Sequence, residues 1–441
     1  MKILMIAYYF PPDSSSGSFR PFFFANHLQS IGQNVYILTA DEKDYLPYQP
    51  RDYNQLENIN TGIKIIRCRV LRPREAVIKY RDMLIKKKKK IKNTYKDNSI
   101  CLKPSVIQQV KDTFTDFLST PDPHIGWLPS SVIKGAEIIK NKNIDVIYAT
   151  GSPWTSLIIG AVLKKLTQKP LIMDFRDPWT ANPGFLIRSK AVRFVETFME
   201  RKVILSADKI ITNTDELKYN FLIRFPKLTD KIISTVPNGF ERYTDDAGNI
   251  NDKFTITHAG SLYFSRNPKF FIQAVFNLIE KGKISGDKIN IVFLGGIAVQ
   301  DPELEKLLNH QILKNVIKLL RRLPYNESLQ YQSKSDVLFL IQPDFPLQIP
   351  RKLYEYIAFR KPILGITNVN GATARVIREK RLGIVTPDKV ADIEYAVEYL
   401  YRQWIDGIIY NNMKSITCDD FLNHNLTVRL LKIFQECKES Q

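Results

Sequence analysis

Two carboxylates and a guanidinium stand together at the end of one short apolar run, Met173-Asp174-Phe175-Arg176-Asp177-Pro178-Trp179. Burying ionised groups is costly unless they are paired or used, so such a cluster at a strand end marks a candidate site for proton transfer. Asp174 and Asp177 are the candidate catalytic carboxylates, and Arg176 is their candidate neighbour. A structural ion pair is the competing use of the same residues. Upstream, His124-Ile125-Gly126-Trp127 and Gly151-Ser152-Pro153-Trp154 contribute Trp127 and Trp154, aromatic faces of the kind that stack on sugar rings. Core packing is the alternative use for each tryptophan.

A second group lies in the C-terminal half. His258-Ala259-Gly260-Ser261-Leu262 closes an apolar run, Arg266 follows, and Gly295-Gly296 closes the next run. Glycine lets backbone N–H groups approach a diphosphate, and arginine can neutralise it. Pro350-Arg351-Lys352-Leu353-Tyr354-Glu355-Tyr356 opens a helical pattern that puts Lys352 and Glu355 on one face. A lysine for phosphate and a carboxylate for ribose hydroxyls would clamp a nucleotide; an exposed helical ion pair would use the same spacing. In the N-terminal half, Pro11-Pro12-Asp13-Ser14-Ser15-Ser16-Gly17-Ser18 leads into an aromatic-rich helical stretch. Its small residues, Gly17 among them, offer free N–H groups to an anion at a helix start. The glycine spacing of dinucleotide-binding loops is absent, which argues against a nicotinamide or flavin enzyme.

The elements that must position these groups follow from the hydrophobic pattern. A chain of 441 residues, 44% of them hydrophobic, exceeds one ordinary core and predicts two domains. Short β-branched runs alternate with amphipathic stretches, the pattern of an α/β protein with parallel sheets. Strands are expected at 2–8, 35–39, 63–67, 145–150, 171–175, 209–212 and 232–236. The second half adds 254–258, 290–294, 316–319, 336–341, 363–366 and 384–386. Several of these runs are almost continuously apolar, as strands covered on both faces must be. The layout is Rossmann-like twice over: a first domain at 1–240 with an insertion of helices and loop at about 72–125, a second at 241–415, and a closing helix at 416–441. In open α/β sheets ligands bind beyond the carboxyl ends of the strands, where the groups above fall.

Composition narrows the setting. The four cysteines, Cys68, Cys101, Cys418 and Cys437, are scattered, without metal-ligand spacing, which points to a reducing compartment and no structural metal. The short apolar start ends at Pro11-Pro12 and reads as a buried strand rather than a signal peptide. No run is long enough to span a membrane, so a cytoplasmic location is expected. The net charge is +19, and residues 64–96 hold fourteen basic against two acidic residues, including five consecutive lysines at 86–90. Such a segment suits an anionic membrane surface, where each basic residue contributes about 1 kcal/mol. A solvated loop is the simpler use. No nucleic-acid-binding motif accompanies the charge, so nucleic acid is not an expected partner.

At these residues the sequence resembles the family 4 glycosyltransferases of the GT-B fold, over nearly its whole length. The likeness is carried by the opening strand with its Pro-Pro and small-residue loop, by Ala207-Asp208-Lys209-Ile210-Ile211-Thr212-Asn213-Thr214, and by Val236-Pro237-Asn238-Gly239-Phe240. The second half adds Ala259-Gly260-Ser261-Leu262-Tyr263, Lys352-Leu353-Tyr354-Glu355-Tyr356 and Lys361-Pro362-Ile363-Leu364. Asp174-Phe175-Arg176-Asp177-Pro178-Trp179 looks like a bacterial cell-surface polysaccharide subgroup.

The resemblance implies two Rossmann-like domains with parallel sheets facing across a cleft, and sugar transfer from a nucleotide-sugar with retention, usually without a metal or other cofactor. By the same likeness Glu355 holds the ribose, Arg266 and Lys352 stabilise the leaving diphosphate, and Gly17 lies near the phosphates. With Gly260, Ser261 and Gly295 these form the expected donor side; Trp127, Trp154 and Arg176 form the expected acceptor side, and the acceptor is a glycan or a lipid-linked glycan at the inner face of the membrane. Two positions depart from the family pattern: Leu347 stands where a second glutamate precedes Glu355 by eight, and Asp174, Arg176 and Asp177 stand where a strand-end histidine is common. These departures keep a non-catalytic glycan-binding or scaffold protein of a polysaccharide assembly as the alternative. Replacing the lysines at 86–90 by neutral residues is expected to weaken pelleting with anionic vesicles, in a salt-sensitive way. Equal pelleting of both forms would remove this segment as a membrane contact.

Overall fold

The computed structural model describes residues 1–72, 75, 83, 116–244, 251–411, 413 and 415–439. The lysines at 86–90 and most of the basic segment lie outside them, as does most of the insertion expected at 72–125. Within them the chain forms two wholly parallel sheets. The first contains β1 (Lys2–Ile6), β2 (Asn34–Ala40), β3 (Lys64–Cys68), β4 (Val146–Gly151), β5 (Leu171–Phe175), β6 (Lys209–Thr212) and β7 (Ile233–Thr235), in the order β3-β2-β1-β4-β5-β6-β7. The second contains β8 (Phe254–Ala259), β9 (Ile289–Leu294), β10 (Ile317–Leu320), β11 (Val337–Gln342), β12 (Ile363–Thr367) and β13 (Gly383–Thr386), in the order β10-β9-β8-β11-β12-β13. Every strand lies within two residues of its expected range.

The apolar runs explain this agreement. Ile3, Leu4, Met5 and Ile6 of β1 and all of β5 are buried, because helices cover both faces of a parallel sheet. In each sheet the strand order reverses once, between β1 and β4 and between β8 and β11. Successive connections leave in opposite directions at those points, which opens a crevice at the carboxyl ends of the strands.

The chain divides into two compact units, the first made of residues 1–213, 218–236 and 427–441, the second of 214–217 and 237–426. The last helix, Asn423–Glu439, therefore carries the chain back to the first unit. There Phe434 packs near Tyr148 with ring centroids 5.4 Å apart, and Lys438 pairs with Asp145 at 2.9 Å. Phe421, expected on the same helix, instead sits in the turn Asp419–Phe421 and packs edge-on against Tyr354 in the second unit. No helix among the described residues is long and apolar enough to cross a membrane.

Inside the first unit one ion pair ties the elements of the site together. Arg20, from the helix Ser16–Ser30, donates to both oxygens of Asp174 on β5, at 2.8 and 2.9 Å. Tyr148 and Thr150 of β4 add hydroxyl donors to the same carboxylate at 2.6 and 2.8 Å, and Arg20 also reaches the Val236 carbonyl at 2.8 Å. Asp174 has no exposed surface. Its expected catalytic role is thus corrected: a carboxylate sealed inside the sheet and saturated with donors anchors strands and cannot meet an acceptor hydroxyl. Asp174→Asn is expected to destabilise the first unit by about 3–5 kcal/mol, since it leaves a buried guanidinium without its counter-charge. Thermal denaturation would show the melting point lower by roughly 6–20 °C; a drop under about 2 °C would mean the pair contributes no net stability.

Candidate functional site

At the reversal point of the second sheet, β8 and β9 both end in glycine loops. Gly260, Gly295 and Gly296 have φ of +111°, +110° and +81°, a region that side-chain-bearing residues rarely enter. The two loops meet backbone to backbone: a Cβ on Gly295 would lie 2.8 Å from the Gly260 carbonyl carbon and 2.9 Å from the Ser261 nitrogen. Ser261 donates its hydroxyl to the Gly295 carbonyl at 2.9 Å, and the Leu262 amide reaches the Gly296 carbonyl at 3.1 Å. Beside Gly296 opens a cavity of about 240 Å³, lined mostly by Ile297, Val299, Leu304, Leu308 and Leu319, with Glu305 and Arg321 also in its wall.

Lys352 comes to the same place from the helix Arg351–Ala358, and its ammonium fills the space that a Gly260 side chain would need. Nζ lies 3.4 Å from Nε2 of His258, the β8 residue just before Ala259. The imidazole's other nitrogen, Nδ1, is 2.9 Å from the Phe339 carbonyl of β11. A carbonyl can only accept, so Nδ1 carries the hydrogen. Burial, with the Lys352 charge adding to it, pushes the His258 pKa well below its ordinary value, so the ring is neutral and Nε2 is left as an acceptor for the lysine. Tyr356, one turn after Lys352, bridges the Ala259 amide and the Phe339 carbonyl at 3.0 and 3.1 Å. His258 and Tyr356 thus lock the end of β8 to β11, and their roles were not read from sequence. Both residues stand within motifs already singled out, but no feature of the sequence separates them from their neighbours there.

Burial and the neighbouring Arg266 guanidinium lower the Lys352 pKa from 10.5 to about 8, with Glu355 opposing them. Arg266 is held over the Tyr263 ring, 4.9 Å from its centroid, and donates to that hydroxyl at 3.1 Å. Glu355 shares the helix face expected of it, but its ion-pair partner is Arg351, one turn earlier, rather than Lys352. The fold therefore gathers Gly260, Ser261, Arg266, Gly295 and Lys352 at one strand-end loop system, with Glu355 one helical turn beyond Lys352.

The first sheet reverses where β1 and β4 end. Gly17 lies in the first turn of the helix Ser16–Ser30, and a Cβ there would meet the Tyr9 ring at 2.5 Å. Arg176 donates to the Gly17 carbonyl at 2.5 Å and to the Ser152 and Gly151 carbonyls, which spends its guanidinium on joining two loops. That corrects its expected acceptor contact to a scaffolding role. Trp127 is also corrected: it is wholly buried, edge-on to Tyr8 at 5.4 Å, and offers no face to a sugar. Trp154 is half-buried and stacked on Trp179, with centroids 5.3 Å apart and planes 5° from parallel. Asp177 remains half-buried.

Around this crevice are buried groups that the sequence did not single out. Asp122 accepts from the Thr155 amide and hydroxyl, each at 2.8 Å, and from the His124 amide at 2.9 Å. His124 packs on Tyr8 at 4.0 Å, with Nε2 3.3 Å from the Tyr9 hydroxyl. Burial, helped by the Arg72 charge, lowers the His124 pKa to about 3, so it is neutral at physiological pH.

No protein-family model and no curated protein sequence matches the chain. Solved structures do. A glycosyltransferase from Rickettsia africae superposes with a TM-score of 0.64 at 14% identity, over 100% of this chain and 99% of that one. A sucrose-phosphate synthase from Thermosynechococcus elongatus gives 0.64 at 12% identity over 100% of both chains. The UDP-GlcNAc 2-epimerase of Methanocaldococcus jannaschii gives 0.52 at 13% identity, over 99% and 100%. The fold is GT-B. At such identities the likeness is one of fold, and transferases and an epimerase share it.

The depressed Lys352 pKa has a stability consequence. Between about pH 8 and 10.5 the unfolded lysine holds a proton that the folded one has lost, so stability rises with pH through that window. Below it the desolvated ammonium is a standing cost. Lys352→Met is expected to melt higher than the native chain at pH 7, and the gap is expected to close towards pH 10.5; a gap independent of pH would exclude this origin.

Proposed function

We propose that this chain is a glycosyltransferase of the family 4 type that transfers a sugar, with retention, from a nucleotide-sugar to a glycan or lipid-linked acceptor in cell-surface polysaccharide synthesis. The observation that carries the reading is the Lys352 ammonium set against the positive-φ Gly260 loop at the strand reversal of the second sheet. A diphosphate bound there meets the Lys352 ammonium and, nearby, the Arg266 guanidinium. Negative charge grows on the leaving diphosphate as the glycosidic bond breaks, so Lys352 and Arg266 stabilise the transition state more than the ground state. Glu355 takes the ribose hydroxyls, and the apolar cavity beside Gly296 accepts the flat base. No metal or other cofactor is assigned a part. On the acceptor side Asp177 is the carboxylate we assign to the hydroxyl, now that Asp174 is sealed. We place the protein in the cytoplasm, at the inner face of the membrane.

A second reading, a non-catalytic glycan-binding or scaffold protein, draws on Leu347 and on the sealing of Asp174. Turnover separates the two. A panel of nucleotide-sugars is expected to give a donor that raises the melting point, since a ligand at a hundred times its Kd stabilises by about 2.7 kcal/mol. Lys352→Ala and Glu355→Ala are each expected to weaken that donor without unfolding the chain. Native affinity is expected to be flat below about pH 7 and to fall above pH 8 as Lys352 loses its proton, a pH dependence absent from Lys352→Ala. Asp177→Asn is expected to keep donor binding and lose turnover by roughly 10²–10⁴-fold. Donor binding without turnover on any acceptor supports the scaffold reading; an absence of nucleotide binding sinks both.

A further inference from the structure

The helix Lys190–Ile204 of the first unit is built the wrong way out. Its two acids, Glu196 and Glu200, are 2% and 0% exposed, while Phe194 and Phe198 are 77% and 57% exposed. The turn Pro183–Ile187 that leads into it exposes Leu186 and Ile187 by 69% and 88%. Phe194 and Phe198 are one turn apart, and Lys190, Arg201 and Lys202 recur at helical spacing on the same exposed face. The Lys202 ammonium lies over the Phe198 ring, 5.5 Å from its centroid. This face carries aromatic and cationic side chains and no acid.

The inward acids are firmly held. Glu196 pairs with Arg188 and accepts from the Trp179 indole at 3.4 Å; Glu200 takes Arg224 and Thr180. The inversion is therefore a feature of a well-tied helix. Arg188 also donates to the Pro121 carbonyl at 3.3 Å, beside Asp122 and the buried groups of the crevice. The turn that leads into this helix is thus fastened to the chain just before Asp122.

Exposed apolar side chains gathered on one turn and the helix after it, with cations among them, mark a surface that another body covers. Anionic lipid fits both halves of this chemistry: acyl chains take the phenylalanines and isoleucine, and headgroup phosphates take the lysines and arginine. A second copy would bring the same positive charge to the same place. The lysine run at 86–90 has that sign as well, which disfavours its own segment as the cover. We propose that Leu186, Ile187, Phe194 and Phe198, with Lys190 and Lys202, form a docking surface that inserts into the face of an anionic lipid bilayer. The proposal deepens the membrane location offered above and rests on it, but not on donor binding or on the segment 64–96.

The test is pelleting of the full chain with phosphatidylcholine vesicles containing about 30% phosphatidylglycerol, without nucleotide. The double variant Phe194→Ser/Phe198→Ser is expected to reduce partitioning at least about tenfold, with an unchanged melting point and unchanged nucleotide binding. Lys190→Ser/Lys202→Ser is expected to reduce it on anionic vesicles and to leave any residual binding to pure phosphatidylcholine intact. Native-like pelleting of the phenylalanine variant overturns the proposal, as does a native chain that pellets with neither vesicle. Concentration-dependent self-association that the phenylalanine variant abolishes also overturns it, in favour of a second copy. Because vesicles are tested without nucleotide, failure here leaves the donor site standing, and failure of nucleotide binding leaves this surface standing.

Discussion

The pairing of Arg20 with Asp174 holds the first unit in its working shape. One carboxylate on β5 collects donors from β4 and from the helix after β1, and the same arginine reaches the carbonyl that follows β7. These elements are distant in sequence, and parallel strands cannot be joined by short turns. Something other than local chain geometry must register them, and a buried, saturated ion pair does so because any displacement leaves a charge unpaired. With it in place, Arg176 at the end of β5 can bridge the Gly17 and Ser152 loops, and the crevice between β1 and β4 acquires defined walls.

The second unit solves a different electrostatic problem. Lys352 is half-buried, and it faces a neutral imidazole and a guanidinium, while the nearby Glu355 carboxylate is paired with Arg351. An ammonium in that setting is under-compensated, and an incoming anion would supply what the fold withholds. The glycine loops complement it: without side chains at Gly260 and Gly295, the backbones of two neighbouring strand ends come into contact beneath the lysine. His258 and Tyr356 keep this arrangement from relaxing, since both are fastened to one carbonyl of β11.

The helix Lys190–Ile204 handles charge in a third way. Its glutamates are neutralised inward by Arg188 and Arg224, which frees its outer face of negative charge. Sealed, under-compensated and inward-paired charges thus divide the ionisable residues into three settings. The contrast is visible within one short motif: Asp174 anchors, Arg176 bridges loops, and Asp177 alone stays in partial contact with solvent.

The thirteen strands of the described residues and their division into two sheets were legible in the amino-acid sequence, because a strand covered on both faces must be apolar along its length. The grouping of Gly260, Arg266 and Lys352 was legible for a related reason: all three lie at or just after motifs that end or follow apolar runs, and strand ends in one sheet gather at one edge. The partners of the charged residues were not. Arg20 and Asp174 are 154 positions apart, and nothing in either neighbourhood indicates that they meet. Glu355 has cations at two nearby helical positions, and only packing decided that Arg351 would be its partner. Trp127 and Trp154 look alike as aromatic residues after short polar stretches, yet one is core and the other half-buried. Hydrophobic pattern is a local property of the chain and sets the elements. The burial and pairing of a charge depend on every element packed around it, so tertiary structure alone decided which polar residues became scaffold and which stayed available to a ligand.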